Sequence, residues 1–137
     1  LIQFIVNGLP RPQQRHRSRG RWTYDPSSEE KKEFAFQIKK DAPVKPMTDE
    51  LDVHISFVYK RPKKHYRVKA GKLLRKQEVP FYKKSRPDLD NLIKFYLDAM
   101  QGIVYKDDSQ IVSLNAQKVY GSENMVHIKI FYNKKYC

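Results

Sequence analysis

Residues 51 to 59 alternate without a slip: Leu51, Val53, Ile55, Phe57 and Tyr59 fall on one side, and Asp52, His54 and Ser56 on the other. A period of two marks a strand with one buried face, and that face must be covered by another layer. Two stretches have the spacing to cover it. The first follows Pro26 with a capping-box pattern, Ser27-Ser28-Glu29-Glu30, and carries Phe34, Ala35, Ile38 and Ala42 through about Lys40, with acids at its start and lysines at its end. The second, residues 89 to 100, places Leu89, Leu92, Ile93, Tyr96, Leu97 and Met100 on one stripe, with Gly102 positioned to end the helix.

Further strands are expected at 2–6, at 111–119 with Val112, Leu114 and Ala116 on one face, and at 125–132 with Val126, Ile128, Ile130 and Tyr132 alternating. Gly121-Ser122-Glu123-Asn124 makes the last two read as a hairpin. The order β-α-β-α-β-β over 137 residues predicts one α+β domain, 1–137, a mixed β-sheet with two packed helices. His54 lies on the polar face of its strand and reads as a surface histidine.

Charge is distributed unevenly. The formal net charge is +13, of which residues 11–21 contribute +5 and residues 60–86 contribute +11, leaving the remainder at −3. Local basic blocks of this kind are footprints for phosphate backbone. In the first block Pro10 and Pro12 hold the chain extended, and Arg15, Arg17, Arg19 and Arg21 follow Arg11 at alternate positions, at about the spacing of phosphates along a strand. Trp22 and Tyr24 beside them have two readings, stacking on an unpaired base or anchoring the arm to the core. The second block, about 60–86, shows no sustained period and reads as a long basic loop, partly disordered without a ligand. Its candidate DNA contacts are Lys63, Lys64, Arg67, Lys69, Lys72, Arg75, Lys76, Lys83, Lys84 and Arg86. No apolar run reaches the roughly 18 residues of a membrane span. The single cysteine, Cys137, permits no internal disulfide, and the first residues lack the pattern of a signal peptide, so a cytoplasmic setting is expected.

Against this basic background four carboxylates gather around one lysine. Asp88 and Asp90 stand at the entrance to the second helix with Lys94 one turn on, and Asp107 and Asp108 follow the helix. On a helix interior Asp88 and Asp90 would point about 200° apart, whereas on an extended entry they can converge, and Pro87 favours such an entry. A return of the chain from Gly102 to Asp108 is long enough to bring the second pair back along the helix. The resulting oxygen-rich nest suits Mg²⁺, a hard cation that shares its positions with water and phosphate. Singly, each aspartate also reads as a helix cap or turn acid.

Arg86-Pro87-Asp88-Leu89-Asp90-Asn91-Leu92-Ile93-Lys94, then Asp98-Ala99-Met100, then Gly102-Ile103-Val104-Tyr105-Lys106-Asp107-Asp108-Ser109-Gln110, resembles the RusA family of Holliday junction resolvases. The resemblance implies a homodimeric endodeoxyribonuclease, dependent on Mg²⁺ with Mn²⁺ as a substitute, that makes paired nicks in four-way DNA junctions in bacteria and their phages. It places the catalytic residues at Asp88, Asp90, Asp108 and Lys94 and the metal ligands at Asp88, Asp90 and Asp108, with Asp107 as a further acid. The segment 60–86 is longer and more basic than the family's better-known bacterial pattern. Two other readings compete: a non-catalytic basic nucleic-acid-binding module, and a metal-dependent nuclease or phosphoryl-transfer enzyme of another class.

Overall fold

The computed structural model describes residues 1–132; Cys137 lies outside them. The elements in order are β1 (Ile2–Asn7), β2 (Arg17–Arg19), β3 (Trp22–Tyr24), α1 (Ser28–Ile38), β4 (Leu51–Lys60), β5 (Tyr66–Lys69), β6 (Lys72–Arg75), α2 (Leu89–Met100), β7 (Ile111–Gly121) and β8 (Met125–Tyr132). Short 3₁₀ turns sit at Lys63–His65 and Asp108–Gln110. The result is the expected α+β architecture, a four-stranded mixed sheet with two helices.

The alternating strand is the centre of that sheet. All five inward residues of β4 are buried, and they meet Leu92, Phe95, Tyr96 and Met100 from α2 and Phe34 and Ile38 from α1 in one core. Phe95, absent from the expected stripe, is fully buried. Tyr96 joins the layers, edge-on to Phe34 at 4.9 Å and tilted against Phe57 at 5.5 Å. Each fully buried side chain of this size contributes about 1.5–3 kcal/mol.

The strand order, β1-β8-β4-β7, corrects the expected hairpin. β7 lies parallel to β4 on one side and β8 antiparallel to it on the other, so the last two strands do not touch. β4 is apolar enough to need a neighbour at each edge, and the short link 121–124 crosses over its end. Gly121 O accepts from Arg61 N at 3.0 Å, Asn124 Oδ1 from Lys60 N at 2.8 Å, and Asn124 O from Gly8 N at 3.0 Å. Two strand spacings are about 10 Å, within reach of three extended residues. β7 lies at the edge of the sheet; of the residues expected on one face, Val112 and Leu114 are exposed, and the strand buries Val119.

Other local expectations change for identifiable reasons. Ser27 occupies the N-cap of α1 but makes no side-chain cap bond: its buried hydroxyl accepts from Gln14 N at 3.1 Å and so ties the basic arm to the helix. The arm is a hairpin, β2 with β3, turned at Gly20 and Arg21, so the four arginines do not run along one extended side. Arg17 pairs with Tyr24 and Arg19 with Trp22, which puts arginines and aromatics on one ribbon face, and Trp22 is exposed, so it does not anchor the arm. The segment 60–86 is likewise no featureless loop. β5 and β6 form a hairpin around Ala70 and Gly71, both at positive φ (52° and 75°), the two-residue turn whose twist suits a hairpin. No helix among the described residues is long and apolar enough to cross a membrane.

Candidate active site and nucleic-acid interface

α2 presents the first half of the site. Asp88 sits at its N-cap with extended backbone and makes no side-chain cap bond, which leaves its exposed carboxylate free of the helix. Asp90 is in the first turn and Lys94 one turn further, both exposed. The approach to Asp88 is held from β7: Lys118 Nζ donates to Ser85 O at 2.8 Å and Pro87 O at 2.7 Å.

The second half returns as geometry allowed, but to the far end of the helix. Tyr105 is buried and its hydroxyl donates to Leu97 O, while Asp108 N donates to Gln101 Oε1 at 3.2 Å. Gln110 locks the turn: its Oε1 accepts from Asp107 N at 2.8 Å and its Nε2 donates to Met47 O and Asp49 O at 2.9 and 3.0 Å. Asp107 caps the 3₁₀ turn by accepting from Ser109 N at 3.0 Å. That bond holds its pKa below the ordinary carboxylate value, and hydrogen bonding to Asp107 pushes that of Asp108 up.

A cleft of about 690 Å³ joins the two halves, lined by Asp90, Lys94, Asp98 and Asp108 with Arg15, His16 and Lys31 facing them. Asp88 and Asp107 do not line it, and among the described residues no three carboxylate, histidine or cysteine side chains stand close enough to form a closed cation cage. Asp88, Asp90 and Asp108 each present an exposed carboxylate, the oxygen chemistry that a hard divalent ion takes, and among the described residues none of them meets a lysine or arginine within ion-pair distance.

Lys31 and His16 were not singled out from sequence, and Asp98 was named there only within the family motif. Lys31 Nζ bridges Asp25 (2.5 Å) and Asp98 (2.7 Å), partners that lie 6 and 67 residues away, so no local spacing announces them. Burial acts to raise the pKa of Asp25, but bonds from Lys31, Ser27 and Gln13 prevail and lower it to about 2.

The expected basic contacts separate into committed and free groups. Arg11 faces Glu33 at 3.3 Å and Glu30 at 3.8 Å on α1. Lys83 lies over Tyr59, 5.1 Å from the ring centre. Arg15 reaches the cleft, and Arg17, Arg19 and Arg21 remain exposed. On the β5–β6 ribbon the register puts Arg67, Lys69 and Lys72 on one face with Leu74, and Arg75 on the other with Tyr66, Val68 and Leu73. Lys63, Lys64, Lys76, Lys84 and Arg86 are also exposed.

A model of the endodeoxyribonuclease RusA family matches residues 6–131, nearly the whole chain. The chain belongs to the RusA family. Shorter stretches match individual relatives: 52% identity over 50 residues with the crossover junction endodeoxyribonuclease rusA of Lactococcus phage r1t, and 44% over 46 residues with the uncharacterised protein YqaN of Bacillus subtilis (strain 168). These matches span 36% and 34% of this chain and 38% and 32% of the two relatives, so the chain matches about a third of the length of each. The RusA assignment therefore rests on the family model.

Proposed function

We propose that this RusA-family chain is a divalent-metal-dependent endodeoxyribonuclease, Mg²⁺ being the natural ion and Mn²⁺ a substitute, that resolves four-way DNA junctions by paired phosphodiester hydrolysis. The observation that carries it is the cleft in which Asp90, Lys94 and Asp108 face Arg15. The phage relative that shares half of the matched positions is named for the same activity.

Asp88, Asp90 and Asp108 would supply the oxygens that hold the ion, which when bound would lower the pKa of a water and neutralise phosphoryl charge. Arg15, at the cleft wall, grips the scissile phosphodiester. Lys94 stabilises the charge that builds on the non-bridging oxygens as the water oxygen forms its bond to phosphorus. One bridging P–O bond breaks, and the leaving alkoxide takes up a proton. Asp107 acts through the turn that sets Asp108. Because a junction has two-fold symmetry and needs two coordinated cuts, the working unit is a homodimer.

Asp90→Asn tests this reading: cleavage of a synthetic junction in Mg²⁺ is expected to be lost, while junction binding in EDTA is kept or tightened because a repulsive charge has gone. Full cleavage by that variant would overturn the assignment.

A further inference from the structure

The end of the basic segment does more than cover an edge. Residues 81–83 lie along β7, with Tyr82 bridged to Val119, Tyr120 N donating to Phe81 O at 3.0 Å, and Lys83 N donating to Lys118 O at 3.0 Å. The Lys118 ammonium then holds Ser85 O and Pro87 O, so the chain from Phe81 to the threshold of Asp88 is pinned to one strand. Covering an edge strand needs only this backbone pairing. The side chains are left over, and two of them are large: Phe81 is 57% exposed and Tyr82 61%, their rings edge to face at 4.9 Å.

We propose that Phe81 and Tyr82 form a stacking shelf for an unpaired nucleobase beside the cut site. The proposal rests on the nuclease reading above for its substrate. With the rings at 89° a base can lay its flat π face on one of them, the other buttressing that ring edge-on, with a phosphate on either side of the base. Lys84 and Arg86 stand next to the pair, exposed, and among the described residues neither meets a carboxylate. A second copy of the chain would set these cations against themselves. Asp88 is six chain steps on from Tyr82, a reach of no more than about 21 Å, or about six nucleotide steps along one strand. Continuous duplex has no free base face within that reach, whereas a branch point does, so the shelf favours branched over linear DNA.

The test uses the full chain in EDTA, with fluorescence anisotropy on a four-way junction and on a linear duplex, and 2-aminopurine placed at the branch. The double variant Phe81→Leu/Tyr82→Leu keeps apolar bulk without stacking, and Phe81→Tyr/Tyr82→Phe keeps both rings. The leucine variant is expected to lose about 5- to 100-fold in junction affinity, to lose less than about 2-fold on duplex, and to abolish the 2-aminopurine response. The ring-preserving variant should match wild type. Unchanged junction affinity, an equal loss on both DNAs, or dissociation of a wild-type dimer in the leucine variant would each overturn the shelf. The two readings fail separately: wild type that binds through the rings but never cuts removes the nuclease, and a leucine variant that binds normally removes only the shelf.

Discussion

Lys118→Met isolates the clamp that delivers Asp88. The wild-type ammonium makes two hydrogen bonds to carbonyls, at 2.8 Å to Ser85 and 2.7 Å to Pro87, the first exposed and the second partly buried. A bond from a charged donor is worth about 1.5–3 kcal/mol net when protected and less when wet. The pair should therefore contribute about 2 kcal/mol, which for a domain of this size lowers Tm by roughly 6–10 °C. Methionine keeps the aliphatic stem, so packing against β4 and β7 changes little. The backbone bonds from Lys118 O to Lys83 N and from Tyr120 N to Phe81 O do not involve the side chain, so slackening begins after Lys83 and ends at Asp88. Circular dichroism gives the Tm, and junction cleavage in Mg²⁺, compared with binding in EDTA, separates delivery of Asp88 from DNA affinity. Turnover is expected to fall with binding held within about 3-fold, a change below 1 kcal/mol, and Lys118→Arg should recover part of it. A variant that melts within about 2 °C of wild type and cuts at the wild-type rate would refute the clamp.

Two further predictions concern stability. Asp25 is held at about 2, below its ordinary 3.8, so its stabilisation is complete above the unfolded value and disappears as pH falls towards 2. With solvent screening discounted, this amounts to about 1–2 kcal/mol at most. Tm measured from pH 6 to 2 should fall less steeply in Asp25→Asn than in wild type, and parallel curves would contradict the assignment. Gly121 lies where the chain crosses β4, and an added Cβ would come within 2.6 Å of Val58 Cγ1. Gly121→Ala should cost about 1–3 kcal/mol by overpacking. In denaturant titrations Val58→Ala should restore part of the loss, and additive effects of the two changes would show that they do not meet.

The sheet and helices were legible where one periodicity ran long enough to fix a face. β4 and α2 match the sequence reading at nearly every inward residue, because burial of one face enforces the period. The errors fall where tertiary partners decide. The link 121–124 has the composition of a hairpin turn, and only the demand of β4 for two neighbours turns it into a crossing. Ser27 carries the motif of a cap, but Gln14 N, far along the chain, takes its hydroxyl. β5–β6 was not legible because Ala70 adopts a positive φ that its residue type does not advertise, and because the alternation of Tyr66 and Val68 with Arg67 and Lys69 ends within a four-residue strand. In the site, Asp88, Asp90, Lys94 and Asp108 were visible as residue types at a spacing. Lys31, Lys118 and Gln101 were not, since each acts through a partner that only the fold brings near, and Gln110 stood in the motif without its role in locking the turn.

Those hidden residues also bear on how a strongly basic chain keeps carboxylates available. The fold commits several cations elsewhere: Lys31 to Asp25 and Asp98, Lys118 to two carbonyls, Arg11 to Glu30 and Glu33, and Lys83 to the faces of Tyr59 and Tyr120, while Arg15 stays in the cleft. Lys94 remains exposed in the cleft, where the proposed chemistry needs a cation. The surplus charge is displaced onto two hairpins, β2–β3 and β5–β6, whose arginines and lysines are exposed. Acidic site and basic surface coexist because several cations are held by the fold, two stand in the cleft, and much of the remaining positive charge lies on the two hairpins.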